Sequence, residues 1–162
     1  MKKNILKPTI IVLGILLLVV AISIGFYTRS WTIKDKYPTV DLSQCTEISG
    51  FYFKGDQKDD ISFTIDKNNK HFNEIINSFK TTKFKTKLSN LFSTNTKKSQ
   101  YDESDYLWHI ILHIKDGNKN SFLHFENYFG NLEVSLNGEQ IKCSTDNQKI
   151  WSNKLMNIIT IN

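Results

Sequence analysis

The sequence predicts an α+β protein: an N-terminal transmembrane helix, then one antiparallel sheet of about six to seven strands with two helices packed on one face. Three observations predict it. Residues 9–27 form an uncharged apolar run, long enough at about 1.5 Å per residue to cross a hydrocarbon layer of about 30 Å. Behind it, short segments alternate apolar and polar residues with period two, the mark of half-buried strands. Two other segments repeat apolar residues at i, i+3, i+4 and i+7, the mark of helices with one apolar stripe. Short connections between strands favour antiparallel pairing, and two one-striped helices need one apolar sheet face to lie on.

The run divides the chain into a basic tail (1–8), a transmembrane helix of the signal-anchor type (9–27), a juxtamembrane linker (28–44) and an extracytoplasmic domain (45–162). Lys2, Lys3 and Lys7 precede the run, as in both an anchor and a secretory signal. Ala21, Ser23 and Gly25 offer small residues for cleavage, which would release a secreted form. Apolar character nevertheless continues through Ile24, Phe26 and Tyr27, and Trp31 follows at the depth where aromatic rings favour the headgroup layer. An uncleaved anchor is therefore expected. The first cysteine is Cys45, too far on for acylation at the end of the run. Arg29, Lys34 and Lys36 nearly balance the basic tail, so orientation rests on length: the short tail stays in the cytoplasm and the long domain crosses.

Charge excludes one class of partner. The whole chain carries +5, but three of its 21 lysines and arginines precede the run and none of its 16 acids does, which leaves +2 for everything after it. A domain that neutralises nucleic-acid phosphates needs a basic face, so no nucleic acid is expected. The membrane, through residues 9–27, is the one partner the composition names. Cys45 and Cys143 both fall in the exported part. A disulfide between them suits an oxidising exterior and would stabilise by about 4 kcal/mol. Two buried thiols are the alternative, and only geometry decides. The spacing matches neither a redox CxxC pair nor a zinc knuckle.

In chain order, residues 48–53 read as a strand with Phe51 and Phe53 on one face and Tyr52 on the other. A loop over 55–59 leads to a strand in which Ile61, Phe63 and Ile65 alternate with Ser62 and Thr64. Asn68 or Asn69 caps a helix striped by Phe72, Ile75, Ile76 and Phe79. In 82–88, Lys83, Lys85 and Lys87 share one face. They can meet an anionic polymer or lipid heads, or keep an edge strand from pairing with other chains. Residues 89–104 read as a long polar loop pinned by Leu91 and Phe92. Two hairpins follow: 105–115 with 121–128 through an Asp-Gly-Asn-Lys loop, and 132–136 with 139–143 through Asn137 and Gly138, whose pair suits a type I′ turn. The second turn pairs Val134 with Ile141, Leu132 with Cys143 and Glu133 with Lys142, and points Cys143 to the core. Thr145 and Gln148 have capping-box spacing before a last helix striped by Trp151, Leu155, Ile158 and Ile159.

One face of the first hairpin is the chemistry candidate. Any even-numbered loop places His109, His113, His124 and Glu126 together, with His109 opposite Glu126 or His124. Imidazoles and a carboxylate can ligate zinc when they converge at about 2.0–2.2 Å; the alternative is a polar, partly solvated sheet face. Ile111 and Phe122 interrupt the cluster, and helical H-E-x-x-H spacing is absent. No serine sits in a nucleophile elbow and no Gly-rich phosphate loop is present, so no catalytic residue and no organic cofactor is assigned. Asp56, Asp59 and Asp60 lack the spacing and the late Glu of an EF-hand. Phe51, Phe53, Trp108 and Trp151 are aromatics for a ligand groove or, more simply, for the core.

The stretch from Ile61 to Asp66 leading into 72–79, then Lys83 to Lys85, the Asp116-Gly117 hairpin and the closing helix around 151–159 resemble small exported, membrane-tethered α+β domains of Gram-positive bacteria. The resemblance covers most of the exported part. It implies a tethered α+β domain with no established activity and transfers no functional residues. The expected function is therefore a single-pass membrane protein whose extracytoplasmic domain binds or senses an envelope ligand or protein partner. The alternatives are a metal-dependent envelope enzyme built on the histidine face and an inhibitor or immunity-type protein.

Overall fold

The structure is a computed structural model that describes residues 6–54, 59–87, 106–128 and 130–161. The tail lysines Lys2 and Lys3, most of the 55–59 loop and the polar loop 89–104 with Leu91 and Phe92 lie outside the described residues. The apolar run forms helix α1 (Leu6–Tyr27). Its residues 10–27 are nowhere buried against protein, and it is long and apolar enough for a membrane span or a signal sequence.

The remainder is α+β, built on one antiparallel sheet of eight strands, one more than the pattern had shown at most. The strands are β1 (Ser30–Trp31), β2 (Cys45–Lys54), β3 (Ile61–Asp66), β4 (Phe84–Thr86), β5 (Tyr106–Asp116), β6 (Lys119–Tyr128), β7 (Asn131–Leu136) and β8 (Glu139–Thr145). Helices α2 (Ile33–Lys36), α3 (Phe72–Thr81) and α4 (Gln148–Thr160) complete it. The order across the sheet is β1-β4-β8-β7-β6-β5-β2-β3. The β2–β3 hairpin forms one edge, α3 carries the chain to the other side for β4, and β5 to β8 meander back through the middle.

Alternation decides the two faces. Trp108, Ile110, Leu112 and Ile114 of β5 line up with Leu123 and Phe125 of β6, Leu132 and Val134 of β7, and Ile141 and Cys143 of β8, all buried. The stripes of α3 (Phe72, Ile75, Ile76, Phe79) and α4 (Leu155, Met156, Ile158, Ile159) bury into the same cluster. Phe79 meets the Phe125 ring at 4.3 Å between centroids and the Trp151 ring at 5.8 Å, edge to face. Three side-chain hydrogen bonds cross this face: Trp108 Nε1 donates to Ser152 Oγ at 2.7 Å, Gln148 Nε2 to Asn127 Oδ1 at 3.0 Å, and Trp151 Nε1 to Ser78 Oγ at 3.1 Å. These bonds fix α4 against both β5 and α3 at a specific register.

The second hairpin has the register its sequence predicts, Val134 opposite Ile141, Leu132 opposite Cys143 and Glu133 opposite Lys142, with Asn137 (φ 51°) and Gly138 (φ 87°) both left-handed in the turn. The first hairpin turns more tightly than expected. Asp116 pairs with Lys119, so Gly117 and Asn118 alone make its loop.

Three expectations change, and one open alternative is decided. Residues 28–44 are not a linker: they hold β1, α2 and a 3-10 turn (Leu42–Gln44), and bury Trp31, Ile33, Tyr37, Val40 and Leu42 in the core. Trp31 is not an exposed ring but a buried one. It stacks on Phe84 at 5.0 Å and donates from Nε1 to Thr86 Oγ1 at 3.0 Å. The caps also differ. Asn69 Oδ1 accepts from His71 N ahead of α3 instead of capping its first turn, and Thr145 stays in β8 while Asn147 (φ 55°) begins α4 with no side-chain cap. Finally, Cys45 and Cys143 are free buried thiols. Strands β7, β6 and β5 lie between them, so they stand at least about 19 Å apart across the sheet, far beyond disulfide reach. Burial raises both thiols, Cys45 to about 11 and Cys143 to about 12.

Candidate functional site

The sheet face opposite the helices carries the predicted cluster. Among the described residues no helix packs on it, and its side chains rest on each other. His109 lies directly opposite Glu126, Ile111 opposite His124 and His113 opposite Phe122. The His109 and His124 rings stack 5.4 Å apart, and His109 Nε2 hydrogen-bonds His124 Nδ1 at 3.1 Å. Glu126 Oε1 stands 3.7 Å from His109 Nε2. Three of the four predicted residues therefore meet.

His113 does not join them. Its Nε2 hydrogen-bonds Ser49 Oγ at 2.7 Å and lies 3.5 Å from Glu47 Oε1, both on β2. The reason is topological. β5 has β6 on one side and β2 on the other, and Ile111 stands between the two histidines on this face. A bulge at Thr46 lets Cys45 and Ile48 both face the core and brings Glu47 opposite His113. Glu47 and Ser49 were missed from the sequence because their pairing with β5 joins residues more than sixty positions apart.

Aromatic rings border the imidazoles. Phe51 meets Phe53 at 5.9 Å and His109 at 5.3 Å, both edge to face, and His113 meets Phe122 at 5.2 Å. Of the aromatics considered for a groove, Trp108 and Trp151 belong to the core cluster, while Phe51 and Phe53 stand on this open face. Phe122 is 43% exposed.

Electrostatics follow from this half-dry surface. Burial lowers the His109 pKa below its ordinary 6.5; Glu126 opposes the shift and His124 adds to it. Burial, helped by Glu126, raises Tyr128 on the same face. A neutral His109 matches a hydrogen bond in which one imidazole nitrogen donates and the other accepts.

The chemistry open to this arrangement is limited. Ser49, His113 and Glu47 have the composition of a nucleophile triad, but serine and glutamate meet the same ring nitrogen, whereas a relay needs them on opposite ones. Among the described residues, no group of three or more His, Cys, Asp or Glu side chains is placed to hold a metal ion. The zinc set of His109, His113, His124 and Glu126 thus loses His113 to β2. What remains is a hydrogen-bonding and ring-stacking surface. No protein-family model, curated protein or solved structure matches the chain.

Proposed function

We propose that this chain is a single-pass membrane protein, its N-terminus cytoplasmic and its α+β domain extracytoplasmic, that binds an envelope ligand or protein partner through the open sheet face. One observation carries the reading: β2, β5 and β6 are roofed by helices on one side, while on the other they carry Phe51, Phe53, Phe122 and the hydrogen-bonded His109–His124 pair. Rings with few rotatable bonds and hydrogen-bonding tips supply contact area at low entropic cost, which is what a binding surface uses. An inhibitor or immunity-type protein would use the same surface.

The test is site-specific photo-crosslinking in intact cells. A photoreactive residue replacing Phe122 is expected to give a discrete adduct that the same residue replacing Ile150, 70% exposed on α4, does not give. Identical patterns at both positions, or none at Phe122, would sink the reading. Alkaline extraction tests the anchor separately: the full-length chain should stay with the membrane, and a soluble product shortened by α1 would show cleavage instead.

A further inference from the structure

A second feature lies far from the histidines, where α1 meets the domain. A cavity of about 1250 Å³ opens there. Phe26 and Tyr27 of α1, Arg29, Lys36 of α2, and Glu139 and Lys142 of β8 are among the residues lining it. We propose that this cavity binds the headgroup of an anionic phospholipid, with the lipid's chains running along α1. The proposal rests on the reading of α1 as a retained membrane span.

Depth is the first argument. Only Thr28 and Arg29 separate α1 from β1. Thr28 N and Oγ1 both donate to Ile24 O at 2.9 Å, and Arg29 N donates to Phe26 O at 3.4 Å, so the helix end is held until β1 begins. β1 is in turn fixed by its pairing with β4 and by the buried Trp31. The cavity therefore cannot drift along the membrane normal. With 10–27 in hydrocarbon, it opens at the headgroup layer.

Chemistry is the second. On the membrane side stand Phe26, 72% exposed, and Tyr27. On the domain side Arg29 and Lys36 stand with Lys142, whose ammonium also lies 3.9 Å from Glu133 Oε1, and the carboxylates lining the cavity are Asp35 and Glu139. Asp35 already accepts from Thr32 N at 2.8 Å and Thr32 Oγ1 at 2.9 Å in the capping box of α2. Its Oδ2 is thus turned to Thr32 in the cap of α2, although its charge still acts on Arg29. A phosphodiester suits this ring, since guanidinium can grip two of its oxygens and ammonium adds a point charge. A free anion would leave the aromatic floor empty, whereas a phospholipid fills both halves.

The experiment uses the full-length chain in nanodiscs of phosphatidylcholine, with and without phosphatidylglycerol. Lipid retained after mild detergent release is read by native mass spectrometry. Phosphatidylglycerol should be retained in preference to phosphatidylcholine. Replacing the cations together (Arg29→Gln, Lys36→Gln, Lys142→Gln) should lower that retention about tenfold or more, while Lys154→Gln on exposed α4 should not change it. Equal retention of both lipids, an unaffected triple variant, an equal loss in Lys154→Gln, or displacement of the lipid by millimolar inorganic phosphate would each overturn the proposal. Melting in phosphatidylcholine alone checks that each variant is folded. A chain that leaves the membrane on alkaline extraction defeats the anchor reading; one that stays but shows no lipid preference defeats only the site.

Discussion

Trp108 and His109 are neighbours in β5 and live in different surroundings. Trp108 has no exposed surface, lies under α4 and donates to Ser152. His109 points the other way, to a layer one side chain thick in which imidazoles and phenyl rings cover each other only in part. The same strands thus serve two purposes. The helix-covered face supplies stability through close packing, and the open face exposes chemistry that this stability can support. A protein that needed its second face only for solubility would place small polar residues there. This one places Phe51, Phe53, Ile111 and Phe122 among the histidines.

Substitution on either side breaks or sharpens the contrast. The largest effect is expected from Phe79→Ala, which leaves a cavity beside Phe125 and Trp151 and should destabilise the fold by about 3–5 kcal/mol. Phe122→Ala should cost less than about 1 kcal/mol, because its ring is already 43% exposed. Comparable losses in denaturant melts of the two variants would mean that the open face is core after all.

Next comes Gly50→Ala. A Cβ at Gly50 would meet the backbone oxygen of His109 at 2.1 Å, so β2 must shift from β5. A loss of about 3 kcal/mol is expected, together with altered His109 imidazole signals in NMR. Unchanged signals at full stability would show that the strands do not approach so closely.

The smallest effect is a pH dependence. His109 binds a proton less readily folded than unfolded, so its contribution to stability is complete above 6.5 and is lost as pH falls through the lowered folded value. His124 strengthens this trend and Glu126 weakens it. The drop in melting temperature between about pH 7.5 and about pH 5.5 should therefore shrink in His109→Phe. An equal drop would place the acid sensitivity elsewhere.

Much of this was legible in the chain because period two and period 3.6 report burial directly. The β5–β8 meander, both major helical stripes and the shared face of His109, His124 and Glu126 all follow from alternation and an even turn. What escaped has a common cause in long-range contact. Ser30 and Trp31 are a strand only because β4 lies beside them, and Ile33–Lys36 is too short to be stable without the core under Ile33. Gly50 reads as an ordinary small residue until β5 is placed against it, although a glycine inside a strand is a known signal of close backbone approach. His113 was assigned to the wrong neighbours because the order of strands, with β2 beside β5, cannot be read from alternation.

The brevity of the joint between α1 and β1 has one more consequence. With α1 in a bilayer, the domain has no tether to swing on. Eight strands spaced about 4.8 Å apart put the far edge at β3 only about 34 Å from β1. On the proposed reading, a partner docking on β2, β5 and β6 would be met within a few nanometres of the lipid surface.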